Sequence, residues 1–202
     1  WGIRKLDASG NPDPSWLLTD YITSSTNSDL MPSCSLTGDE MAVFYYKEFI
    51  AGWYHRYDLY AQKYNSQGLP LWGNLGILVN SSEGLYPIIA GVYYGDKILY
   101  ALSNYNYDEQ AFSITYNLIN NNGTMNWQNV EPISMDDLYN YNNFKLVTYN
   151  NDINSFLWLS NRSEDVSRIN HHYVLSDGSL YYNTPVTLDQ SNKGIHNLQL
   201  VN

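Results

Sequence analysis

One cysteine, Cys34, in 202 residues leaves this chain without an internal disulfide. No cysteine and histidine spacing of the zinc or haem type occurs either. Charge is scarce and of one sign: 10 Lys and Arg stand against 20 Asp and Glu, a net charge of −10. A phosphate-binding surface needs clustered cations, so nucleic acid is not an expected partner. An anionic membrane surface is disfavoured on the same ground. No apolar run approaches the roughly 18 residues of a membrane span, so membrane insertion is not expected. No long stretch carries a 3.6-residue apolar period with caps, so helices are not expected. The Gly-x-Ser-x-Gly elbow and the phosphate loop are both missing.

What the chain has instead is tyrosine (20 residues), tryptophan (6) and a repeat. Four turn glycines, Gly10, Gly68, Gly123 and Gly178, stand 58, 55 and 55 residues apart. Each is followed by a large aromatic: Trp16, Trp72, Trp127 and Tyr182. A regular period of this kind marks a repeat architecture. Aligning the turns exposes more columns. Four residues before each glycine come Leu6, Tyr64, Ile119 and Val174; two positions earlier come the polar Arg4, Gln62, Asn117 and His172. This pairing suggests a half-buried strand entering the turn. Ile22, Leu78, Ile133 and Leu188, six residues after each aromatic, suggest a strand leaving it. The residues before each glycine, such as Asn120-Asn121-Asn122, cap their own backbone or tolerate positive φ.

Two further strands fit between successive hairpins. One opens at the column Pro32, Pro87, Asn142 and Asn197, followed two positions on by Cys34, Ile89 and Phe144. That alignment reads Cys34 as a small core residue. The other covers Met41 to Tyr46, Lys97 to Leu102 and Ser155 to Ser160. Four antiparallel strands per unit of about 55 residues predict an all-β fold, a β-propeller built of four-stranded blades. The expected organisation is one array. Residues 1–28 end a first blade, 29–80, 81–134 and 135–189 are blades, and 190–202 open the next. Because the chain begins in the middle of a strand pattern, either its ends combine into a fourth blade lacking one strand or, the preferred reading, the array is an incomplete segment of a larger ring.

The stretch Tyr60-Ala61-Gln62-Lys63-Tyr64-Asn65-Ser66-Gln67-Gly68-Leu69-Pro70-Leu71-Trp72-Gly73 resembles the repeat of large secreted β-propeller proteins of the Bacteroidetes. In these a Tyr-Ala-Gln strand leads to a glycine turn and then Leu-Trp-Gly. The resemblance implies a propeller fold, an extracellular or bacterial cell-surface location, a C-terminal sorting domain of the type 9 secretion kind, and further blades in a longer chain. It transfers no catalytic residues. Sialidase Asp-boxes place the aromatic at a different offset. Quinoprotein blades share the Gly-x-x-x-Trp spacing but usually need a cysteine pair, which one thiol cannot supply.

Candidate chemistry is sparse. His171 and His172 are adjacent, so on a strand they point to opposite faces and cannot chelate one ion together. Asp7, Ser9, Asn11 and Asp13 alternate oxygen donors, as a calcium loop does. Calcium is thus the one cofactor the sequence suggests; otherwise none is expected. The main candidate is a surface. The connections between the second and third strands of each unit are aromatic and amide-rich. They supply Trp53, Tyr54, His55 and Arg56, then Asn104, Tyr105 and Tyr107, then Arg162. Binding residues concentrate on loops held by a rigid scaffold, and Tyr, Trp and Arg dominate hot spots. The expected function is a non-enzymatic binding or adhesion module recognising protein or glycan through that face. Two alternatives stay open: an exo-acting glycoside hydrolase-like enzyme with an axial site, and a structural spacer.

Overall fold

The computed structural model describes residues 5–16, 33–37, 40–51, 54–83, 89–106, 111–128, 130, 132–135, 143–149, 153–163, 166–184 and 186–191. Among these, every regular element is a strand and none is a helix. The protein is all-β. The described strands form three antiparallel sheets of four, each ordered as the chain runs. The first sheet holds β1 (Ser33–Thr37), β2 (Glu40–Ala51), β3 (Tyr54–Tyr64) and β4 (Ile77–Glu83). The second holds β5 (Ile89–Tyr94), β6 (Lys97–Asn106), β7 (Ala111–Ile119) and β8 (Ile133–Met135). The third holds β9 (Asn143–Tyr149), β10 (Ile153–Ser163), β11 (Val166–Leu175) and β12 (Val186–Ser191). The chain divides into two compact units, Trp1–Gly84 and Leu85–Asn202. The first unit contains the first sheet and the second unit the other two.

The four glycine turns share one hydrogen-bond pattern. In each, the glycine N–H donates to the carbonyl three residues back: Gly10 to Asp7, Gly68 to Asn65, Gly123 to Asn120 and Gly178 to Leu175. Leu6, Tyr64, Ile119 and Val174 each bridge to the residue two past the glycine. All four glycines have φ between 78° and 89°, a region L-residues enter only with strain. That constraint is local, which is why the glycines stand out in the sequence. Asp7 Oδ1 accepts from the Ser9 and Asn11 N–H groups, and Asn65 Oδ1 from Gln67 and Leu69. Asp7, the first of the alternating oxygen donors, caps its own turn in this way. In the same copy Asp13 pairs with Lys5 at 3.3 Å.

The polar column does something the sequence reading missed. Residues two apart on a strand share a face, so Gln62 lies on the Tyr64 side and is buried with it. Its Oε1 accepts from the Lys63 and Trp72 N–H groups, and its Nε2 donates to the Gly73 carbonyl. Asn117 repeats the device: its Oδ1 accepts from Leu118 and Trp127 N–H, and its Nδ2 donates to the Trp127 carbonyl. One amide side chain thereby pins the segment that carries the aromatic. Unpaired buried amides are costly, and here each amide serves the segment's own polar groups.

Trp72 and Trp127 are both buried. Within the second unit, Trp127 joins the core of Leu99, Ala101, Ile114, Tyr116, Leu118, Ile133 and Val174. Val174 comes from the third sheet, the rest of that core from the second. The Trp127 ring lies on Gly178 so closely that a Cβ there would stand 2.6 Å from Cγ. Its Nε1 donates to the Ser176 carbonyl at 3.0 Å, and the Tyr116 hydroxyl donates to the Gly178 carbonyl at 3.1 Å. Burial pushes the Tyr116 phenol up, with Asp177 adding to the shift. Within the first unit, Trp16 packs on Met41, Val43 and Tyr64, so it too reaches the strand column of the repeat that follows it. Tyr182, the fourth aromatic, is exposed instead.

Candidate functional site

In their described residues, the segments expected to be loops between second and third strands are hairpin strands. β2 and β3 pair in unbroken register from Met41↔Tyr64 to Ala51↔Tyr54. β6 and β7 pair out to Asn106↔Ala111, and β10 and β11 pair to Ser163↔Val166 with a bulge at Asn161/Ser163. The Phe, Tyr and Ile residues that made these stretches look like binding loops are strand formers with partners across the hairpin. Of the predicted site residues, Tyr54 and His55 lie on β3, Asn104 and Tyr105 on β6 and Arg162 on β10. Their side chains, and Trp53 and Tyr107 altogether, lie outside the described residues. Arg56 is the one whose surroundings are seen in full.

Those surroundings form a graded strip on one face of the first sheet. Alternation puts Met41, Val43, Tyr45, Lys47 and Phe49 of β2 on the same side as their cross-strand partners Tyr64, Gln62, Tyr60, Asp58 and Arg56 of β3. At the base, Trp16 covers Met41, Val43 and Tyr64. Toward the hairpin tip the strip opens, with Phe49 exposed and Arg56 half-exposed. The middle carries the interactions that fix it. Tyr45 and Tyr60 stack at 5.6 Å with their planes 17° apart, and the Tyr45 hydroxyl donates to the Leu75 carbonyl. The Lys47 ammonium lies 4.9 Å from the Tyr60 ring centre.

Asp58 is the hub. Its Oδ1 lies 3.1 Å from Arg56 Nε and accepts from the Ser81 hydroxyl; its Oδ2 accepts from Arg56 Nη2 at 3.1 Å. One hydrogen bond from Nη2 and the ion pair at Nε, which itself makes no hydrogen bond, hold the guanidinium beside the carboxylate. That group also lies over Phe49, with Cζ 4.6 Å from the ring centre. Ser81 arrives from β4, which pairs Asp58↔Ser81 in register. The result is a fixed cation, a shielded carboxylate and aromatic surface within one strip.

Asp58 and Glu48 lie on opposite faces of this sheet, while Glu83 of β4 pairs in register with Arg56, on the Asp58 side. Glu48 points to the other face, where it is buried and accepts from the Tyr57 hydroxyl at 2.9 Å. Glu40 holds the buried Lys63 ammonium at 2.6 Å. Among the described residues, no three of His, Cys, Asp and Glu gather as metal ligands would. The adjacent histidines separate as expected of a strand. His171 meets Tyr173 edge-on at 4.0 Å. His172 is fully buried with neither ring nitrogen hydrogen-bonded. Burial holds both imidazoles below their ordinary range.

Lys47, Asp58, Tyr60 and Ser81 were not singled out in the sequence. The signal that could have found the first three is the period of two counted outward from the hairpin tip. Ser81 carries no such signal, because its place depends on the β3–β4 register.

No family model and no curated protein matches the chain. Among solved structures, the catalytic domain of Coprinopsis cinerea GH62 alpha-L-arabinofuranosidase is similar, at 12% identity and a TM-score of 0.44. The match covers 85% of this chain and 55% of that one, so the chain spans little more than half of the structure it resembles. At that identity and TM-score the likeness transfers neither substrate nor residues.

Proposed function

We propose that this chain is a non-catalytic binding module, a β-propeller-type array in a secreted or cell-surface bacterial protein, and that its ligand is a neutral glycan. The observation that carries the ligand class is the Arg56–Asp58–Ser81 brace beside Phe49. A sugar ring offers a flat C–H face and a rim of hydroxyls. An exposed aromatic meets the former through its negative π-face, and a fixed guanidinium donates to the latter. A guanidinium already paired with a carboxylate has little net charge to offer an anion, which favours hydroxyls over phosphate or sulfate. The propeller reading is supported by three chain-ordered sheets of four strands and by β5 lying beside β9, the first strands of neighbouring sheets. The extracellular setting rests on the repeat's resemblance to exported propeller proteins.

The test is binding to an array of neutral oligosaccharides by the whole chain and by Arg56→Ala and Phe49→Ala variants. Loss of roughly 1–3 kcal/mol in each variant, about 5- to 150-fold in affinity, is expected for hot-spot residues. Binding that survives both changes, or no binding to any neutral glycan, overturns the reading.

A further inference from the structure

The residue before each turn glycine differs from repeat to repeat: Ser9, Gln67, Asn122 and Asp177. Asn122 gives the chain its one Asn-Gly pair. It stands exposed, before a glycine that is only partly buried. Its Oδ1 accepts two hydrogen bonds from one residue, the Thr124 N–H at 3.1 Å and the Thr124 hydroxyl at 2.8 Å. The Asn120 amide donates to that hydroxyl at 3.1 Å, which leaves the hydroxyl proton for Asn122. The fourth turn shows what such a donor pair favours. Asp177 Oδ1 accepts from the Ser179 hydroxyl and N–H at 2.6 and 2.9 Å. Those two bonds, the hydroxyl's first, hold its carboxyl below the ordinary range. Asp13 and Ser15 repeat both the arrangement and the shift. The pair stabilises negative charge on the oxygen it faces.

We infer that Asn122 is a site of spontaneous deamidation, with Thr124 stabilising the oxyanion that forms on Asn122 Oδ1. Hydroxide takes the Gly123 N–H proton, and the nitrogen attacks Asn122 Cγ. As that C–N bond forms, Oδ1 takes the negative charge between two donors already aimed at it. The carbonyl then reforms, the Cγ–Nδ2 bond breaks, and Nδ2 leaves as ammonia with a proton from water. Water opens the resulting cyclic imide. Cleavage at Cγ gives aspartate; cleavage at the main-chain carbonyl gives isoaspartate. Glycine has no Cβ to shield the attacking nitrogen. Its N–H donates to the Asn120 carbonyl at 2.9 Å, and that bond opens before the attack. Aspartate fits the turn as Asp177 does. Isoaspartate lengthens the main chain just ahead of the Asn126 to Leu118 bond that leads into Trp127. Asp177 itself is inert, because an ionised carboxylate is a poor electrophile and the Trp127 ring covers Gly178. The inference is independent of the glycan reading, because the Arg56 strip takes no part in it.

The experiment holds the whole chain at mildly alkaline pH and follows each asparagine by peptide mass spectrometry. A synthetic peptide of residues 119–127 serves as the unstructured reference. Conversion at Asn122 ahead of every other asparagine is expected, with one ammonia released per chain. Thr124→Val should slow it about threefold to tenfold, the worth of one hydrogen bond. Thr124→Ser keeps the hydroxyl, as Ser179 does in the fourth turn, and restores the rate. In the peptide the same changes should have no effect, which separates the folded geometry from the sequence. Asn122 left intact when the peptide has fully converted overturns the inference. So does a rate in the folded chain that Thr124→Val leaves unchanged or raises.

Discussion

His172 shows how one residue can leave a repeat incomplete. Its counterparts Gln62 and Asn117 pin the aromatic segment with two hydrogen bonds each and accept a third from the next N–H of their own strand. The imidazole is buried with neither nitrogen bonded. Replacing it by Asn supplies the amide geometry that holds Trp127, so His172→Asn should stabilise the protein by about 1 kcal/mol at neutral pH. The histidine also fixes a pH dependence. Its folded pKa is lowered, chiefly by burial, so the unfolded chain binds the proton more readily. Stability is full above the unfolded value near 6.5 and declines as pH falls below it toward the lowered folded value. Urea unfolding midpoints between about pH 7.5 and 5 should fall less steeply for His172→Asn; identical slopes would disprove the assignment. His171 titrates in the same direction and remains in both proteins.

The glycine turn is the element that carries the repeat, and it separates two costs. At Gly178 a methyl group meets both an unfavourable φ of 89° and the Trp127 ring. At Gly10 the φ is alike but the space is open. Gly10→Ala should therefore cost about 1–2 kcal/mol from backbone strain alone. Gly178→Ala should cost about 2–4 kcal/mol, since overpacking adds to the strain. Trp127→Ala should cost about 3–5 kcal/mol, as a buried aromatic deletion does. In the double variant Trp127→Ala/Gly178→Ala the two losses should not add, because the clash disappears with the ring. Chemical denaturation of the four variants measures all these terms, and full additivity would mean that the ring and the turn do not touch. The hairpin is the element the sequence hid. Phe49 to Arg56 reads as a loop because aromatic and charged residues crowd together there. Strand pairing absorbs all but residues 52–53.

The whole molecule is acidic, with a net charge of −10 and few cations. Of the cations near the candidate site, Arg56 is braced by Asp58 and Lys47 rests on Tyr60. A glycan bound by hydroxyl contacts and aromatic surface should hold its affinity within about twofold between 50 and 500 mM salt, since no charged ligand is being screened. Heparin or another polyanion should not compete. Titration at the two salt concentrations distinguishes this from an electrostatic site, for which affinity would drop steeply.

The turns, their spacing, the aromatic after each glycine and the all-β character were legible in the sequence. Each follows from a constraint on neighbouring residues: a positive φ that favours glycine, a strand period of two, a short cap. The site was not. Asp58 meets Ser81, 23 residues on, only through strand register, and Trp127 finds the Ser176 carbonyl, 49 residues on, only through sheet packing. Sequence spacing dictates conformation where a residue answers to its neighbours along the chain. Which side chains meet is set by how the sheets register and stack, and that is a property of the folded protein alone.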